Sequence, residues 1–215
     1  LKRMKLVIFG ASGRTGRALV EQALEAGHDV TAGVRNPDNF PLQHERLHVV
    51  KADVFDLPSV DAAMQGKNAV LSTVGPRKRG LLGAYKPEGL YSRGIKNILQ
   101  AMQKNGIRRL VCVTAAAADD QYTPQGLYGS IQIPLIWRKT LEDMKLMQRE
   151  ISKSNLDWVV VRPARLSDYP RTDEYRTSLR PTSKDQRTRR TDLAAFMLKE
   201  LTDTQYLRKL PVIAD

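Results

Sequence analysis

The eight residues FGASGRTG, at positions 9 to 16, put glycines at 10, 13 and 16 directly after a short apolar run and directly before an amphipathic one. That setting constrains the fold more than any other stretch of the chain. A strand that turns straight into a helix leaves the helix's first N–H groups without partners, and an anion can meet them there. Gly10 then permits the tight turn, Gly13 lets a pyrophosphate approach the backbone, and Gly16 lets the helix pack close to the sheet. The spacing is Gly-x-x-Gly-x-x-Gly, and no Gly-Lys-Ser/Thr ending follows, which argues against a nucleoside triphosphate loop.

The pattern continues along the chain. LVIF at 6–9 reads as a buried strand, and residues 14–26 as a helix with Leu19, Val20, Ala23 and Leu24 on one face and Gly27 as its stop. Strands are expected at 29–34, 47–54, 69–74, 109–114 and 156–163, and a seventh in the closing LPVIA run at 210–214. Helices are expected at 58–65 behind Pro58, at 87–104, at 139–153, and over LAAFMLKELT at 193–202 with Thr191-Asp192 as its cap. Strands that alternate with crossover helices predict an α/β fold: a Rossmann-type, doubly wound parallel sheet covered on both faces. With 215 residues, no linker and no repeat, residues 1–215 read as a single NAD(P)-binding domain. Substrate-side loops are expected around 76–86, 115–138 and 164–190, the last being polar and irregular.

No apolar run approaches the roughly 20 residues that span a bilayer. LKRMK runs into only a short apolar stretch, which predicts no signal peptide. The single cysteine, Cys112, excludes an internal disulfide, fits a reducing, cytoplasmic setting, and sits among apolar neighbours as a core filler. The net charge of +12 is spread along the chain without aromatic interleaving, so it favours an anionic small molecule over nucleic acid.

The second strand bears on whose phosphate the glycines hold. A dinucleotide's adenosine ribose lies at that strand's tip, where an acid would bind a 2′-hydroxyl and an arginine a 2′-phosphate. The strand runs DVTAGVRNP, with Arg35 at its tip and its one acid, Asp29, at its start. Ser12 and Arg14 in the loop could reach the same phosphate, so NADP(H) is the expected cofactor. Ligands of such sheets lie beyond the carboxyl ends of the strands. That places Asp53 and Val54, Val74, Gly75 and Pro76, Thr114 and Ala115, and Pro163 along the cofactor. Arg77, Lys78, Arg79 and Arg165 follow strand ends and could rim the substrate mouth.

FGASGRTG, VRNP, ADVFD, VGPR, VTAAA and LDWVVVRPARL occur in this order, and with the late DLAAFMLKELTDTQYLRK segment they resemble the NmrA-like, atypical short-chain dehydrogenase/reductase family over nearly the whole chain. Within it the likeness is greatest to the biliverdin and flavin reductases. The resemblance implies hydride transfer from NADPH to a flavin, a tetrapyrrole or a quinone-like acceptor. It also implies cofactor contacts at Gly10, Ser12, Gly13, Arg14, Thr15, Gly16, Arg35, Asp53, Val54, Gly75, Arg77 and Thr114. The alternative it admits is a non-catalytic NADP(H)-binding redox sensor with a protein partner.

The chain departs from the family in two places. No tyrosine has a lysine four residues on, so the Tyr-x-x-x-Lys pair of ordinary alcohol dehydrogenases, and of epimerase chemistry, is missing. Where the biliverdin and flavin reductases carry Thr-Ser after the fifth strand, this chain has Thr114-Ala115. Residues 139–153 also lack the expected histidine, with Gln148 near its place. The catalytic residue is therefore unassigned, and no metal is expected. A flavin or quinone can take its proton from water, so orientation over the nicotinamide suffices for reduction.

Overall fold

The computed structural model describes residues 3–76, 89–122, 137–182 and 187–215. The strands β1 (Lys5–Phe9), β2 (Asp29–Val34), β3 (Leu47–Lys51), β4 (Ala69–Ser72), β5 (Arg109–Val113) and β6 (Asp157–Pro163) are those the β-branched runs predict. They pair in the order β3-β2-β1-β4-β5-β6, all parallel. The helices α1 (Arg14–Glu25), α2 (Leu57–Met64), α3 (Leu90–Lys104), α4 (Arg138–Ser152) and α5 (Arg190–Lys199) supply the crossovers and cover the sheet. The chain is thus a single-domain, Rossmann-like α/β protein. Its strand order reverses between β1 and β4, and a crevice opens at such a switch point beyond the strands' carboxyl ends.

The two faces of the sheet bury separate cores. Leu6, Ile8, Val111 and Val161 point to the side where α1 and α5 pack, with Leu19, Leu193 and Phe196 between them. Val7, Phe9, Cys112 and Val160 point to the side of α2, α3 and α4, against Ile98, Met102 and Met147. This two-sided burial is why the strands read as continuous apolar runs without a polar alternation. Cys112 is fully buried, and burial pushes its thiol up, as a core filler requires.

Three sequence expectations need correction. The third strand stops at Lys51, because residues 52–56 turn: Asp53 Oδ1 accepts the Phe55 N–H at 3.0 Å and Ser59 Oγ accepts the Asp53 N–H at 3.0 Å. The stretch 164–190 is not wholly irregular. It contains β7 (Arg165–Ser167), β8 (Arg176–Ser178) and β9 (Arg187–Arg189). β7 and β9 form a small parallel ladder, while β8 runs antiparallel to β10 (Val212–Ala214), which continues the main sheet beyond β6. Finally, Thr191-Asp192 does not cap the last helix. α5 begins at Arg190, and Asp192 lies fully buried in its first turn, accepting the Thr172 and Asp173 N–H groups at 3.0 Å each.

Two contacts distant in sequence fix helix ends. Asp143 of α4 accepts the Tyr91 and Ser92 N–H groups at 2.8 and 3.1 Å, so a neighbouring helix caps the N-terminus of α3. At the opposite end of the sheet Arg109 donates to the backbone carbonyls of Glu200 and Asp203, capping the end of α5. The Glu200 carboxylate itself is fully buried, and neither oxygen has a hydrogen-bond partner among the described residues.

Candidate cofactor site

β1 delivers the chain to Gly10, whose φ of +77° is one that L side chains rarely adopt. A Cβ there would also lie 2.7 Å from the carbonyl carbon of Thr73 and from the Val74 nitrogen, so β4's exit runs hard against the turn. A Cβ on Gly16 would lie 2.2 Å from the Gly10 carbonyl oxygen; α1 can sit this close to β1 only with glycine there. The Gly13 N–H bonds the Gly10 carbonyl at 3.0 Å, and the first helical bond runs from Arg17 to Gly13 at 2.8 Å. The N-cap of α1 is Gly13, which has no side chain to cap it, and no acid lies in the helix's first turn. The N–H groups of Arg14, Thr15 and Gly16 and the positive end of the helix dipole therefore form a cradle suited to a phosphate.

The other predicted residues among those described follow the carboxyl ends of successive strands. Arg35 follows β2 directly and is exposed, and it pairs with no carboxylate among the described residues. Asp29, the acid at the strand's other end, is taken by Arg3 at 2.6 Å. Past β3, Asp53 is the turn aspartate described above, with only Oδ1 engaged among the described residues. Val54 is buried, its carbonyl held by Asn97 Nδ2 at 2.8 Å and its side chain fitted against Gly94 of α3. Past β4, Thr73 Oγ1 bonds the carbonyls of Phe9 and Gly10, and the Tyr91 hydroxyl lies beneath Gly75. Val74 and Pro76 are half-buried beside it. Arg77, Lys78 and Arg79 lie outside the described residues.

Past β5, Thr114 is buried and Gln148 Nε2 donates to its Oγ1 at 2.9 Å. Gln148 of α4 thus stands at the end of β5. Ala115 is extended and half-buried, and no hydroxyl stands there. The segment after it is anchored from below: Asp119 pairs with Arg162 of β6, whose side chain is 6% exposed and which also donates to the carbonyls of Leu210 and Leu179 at 2.9 and 2.8 Å. Pro163 is buried at the end of β6, and the following Ala164 N–H reaches Thr188 Oγ1 at 2.9 Å. Arg165 is exposed at the start of β7.

The histidines lie away from this edge. Buried His28 accepts the Met4 N–H at 3.1 Å, with its pKa lowered by burial, and His44 accepts the Arg46 N–H at 3.0 Å. Several residues that shape the site carry no sequence signal as site residues: Tyr91, Asp143, Arg162, Asp168 and Arg190. Each acts through a partner tens of residues away, so no local motif marks it.

A Rossmann-like sheet with a glycine-lined, uncapped helix N-terminus at its switch point defines a dinucleotide-binding protein. The chain belongs to the NAD(P)H-binding family, whose model matches residues 10–204. It is 28% identical over 177 residues to an uncharacterised chloroplast protein of Arabidopsis thaliana, covering 80% of this chain and 62% of that one. It is 22% identical over 235 residues to the chloroplast protein TIC 62 of Pisum sativum, covering 97% of this chain and 42% of that one. The chain therefore spans less than two thirds of the length of these relatives. Among solved structures it superposes on ChuY, an anaerobilin reductase of Escherichia coli O157:H7, with a TM-score of 0.80 at 20% identity, covering 98% of this chain and 96% of that one. No helix among the described residues is long and apolar enough to cross a membrane.

Proposed function

We propose that this protein is an NADPH-dependent reductase that passes hydride to an anionic conjugated acceptor: a flavin, a tetrapyrrole or a quinone-like molecule. The observation that carries the reading is the pairing of the Gly10–Gly16 cradle with an exposed Arg35 at the tip of β2. The uncapped start of α1 would take the diphosphate, and Arg35, with Ser12, would take the 2′-phosphate. When bound, NADPH supplies the hydride. Thr114, oriented by Gln148, and the Val74–Pro76 backbone would hold the nicotinamide half, with Ala115 and Pro163 flanking it. The acceptor gains hydride and takes one proton from water, and NADP⁺ departs, so the balance needs no tyrosine-lysine pair. Arg165 suits the phosphate or propionate groups of such acceptors.

The test is loss of the reduced nicotinamide absorbance when the protein is mixed with NADPH and riboflavin phosphate, a linear tetrapyrrole or a quinone. Turnover with any of them supports a reductase. Tight NADPH binding without turnover over a broad panel would instead support a redox sensor. Ala115 and Gln148, standing where a proton donor is expected, favour that second reading.

A further inference from the structure

Two helices open on arginine at the same place. α1 begins with Arg14 and α5 with Arg190, and both guanidinium groups converge on one carboxylate, Asp168, just past β7. A cation at a helix N-terminus opposes the macrodipole, so neither arginine is there for its own helix. The acid in α5's first turn does not compensate Arg190, because Asp192 is turned inward onto Thr172 and Asp173. Among the described residues Asp168 is the only carboxylate that pairs with Arg14 or Arg190. One negative charge is thus shared by two guanidinium groups. The Arg190 pKa is lowered, first by burial and then by the nearby Arg14 charge.

The bridge is also built to open. Arg14 and Asp168 are 61% and 55% exposed, and ion pairs so exposed are weak. Arg190 is 14% exposed and fixed at the rim of the cradle, with Asp168 at 2.7 Å. We propose that Asp168 is a placeholder anion and that Arg190 is a phosphate ligand: when a dinucleotide enters, Arg14 and Arg190 exchange the Asp168 carboxylate for the diphosphate. The exchange satisfies both arginines at once and frees the residues after β7, at the mouth of the site. This inference rests on the dinucleotide reading of the cradle and adds Arg190 and Asp168 to it.

The test is calorimetric titration of the chain with NADPH and, separately, with NADH, at low and at moderate salt. Asp168→Asn removes the competing charge and should tighten both cofactors by the same factor, about threefold to tenfold at low salt, with a steeper salt dependence. Arg190→Gln should weaken both alike, by about tenfold. Equal factors mark the diphosphate, which the two cofactors share. An effect confined to NADPH would place the pair at the 2′-phosphate and overturn the assignment. Weaker or unchanged binding by Asp168→Asn would make Asp168 a fixed strut and overturn the exchange. Should Arg190→Gln fail to fold, Arg14→Gln carries the same expectation. A wild-type chain that binds neither cofactor refutes the dinucleotide reading as well; binding that Asp168→Asn leaves untouched refutes this inference alone.

Discussion

Glu200 should make the protein less stable as the solution becomes more basic, and Glu200→Gln should abolish that dependence. The carboxyl is fully buried at the end of α5, neither oxygen finds a donor among the described residues, and the nearby Asp203 charge adds to the cost of ionising it. Arg109, close by, spends its donors on backbone carbonyls. Burial raises the Glu200 pKa from 4.5 to about 7. Between these values the folded state holds a proton that the unfolded state has released. Stability from this group is therefore full below about pH 4.5 and is lost as pH rises to about 7, after which the loss is constant. The rise corresponds to about 3 kcal/mol, at about 1.4 kcal/mol for each tenfold change in proton affinity. Glutamine keeps the shape and has no charge to bury. Its own packing cost is the same at every pH, so the readout is the difference between two pH values. Thermal melts of both proteins at pH 5 and pH 8 should show the variant gaining on wild type at the higher pH by up to roughly 10 °C. An equal offset at the two pH values would refute the reasoning, because it would mean Glu200 is ionised or paired throughout.

Arg35→Asp should weaken NADPH binding by about tenfold to hundredfold and improve NADH binding, since it replaces a charge-assisted contact with repulsion; unchanged NADPH affinity in a fluorescence titration would refute the role of β2's tip. Gly16→Ala should abolish cofactor binding and lower the melting temperature, because its Cβ would stand 2.2 Å from the Gly10 carbonyl oxygen and force α1 off the sheet. Asp143→Ala should cost about 1–2 kcal/mol in denaturant unfolding, since it leaves the Tyr91 and Ser92 N–H groups at the start of α3 without an acceptor.

Much of the fold was legible in one dimension, because a sheet buried on both faces writes itself as β-branched runs and its crossover helices as amphipathic ones. The glycine spacing was legible for the same reason: a turn, a close approach and a helix start are all demands made within eight residues of chain. Two of the misses fall where a distant part of the chain decides. Asp192 looks like a helix cap in sequence, yet the Thr172–Asp173 backbone claims it and α5 begins two residues earlier. The polar run after β6 looks like a loop, yet it supplies two strands that pair with each other and one that edges the sheet.

The sequence by itself determined a strand, a glycine turn and a helix able to take a phosphate, with an arginine at the next strand's tip. Only the tertiary structure decided that Asp143 caps another helix, that Gln148 orients Thr114, that the Glu200 carboxylate has no hydrogen-bond partner among the described residues, and that Arg14 and Arg190 share Asp168. The physical reason is range. Periodicity and turn geometry act between residues a few positions apart, whereas charges and hydrogen bonds act between whatever the packing of α1, α4 and α5 brings together.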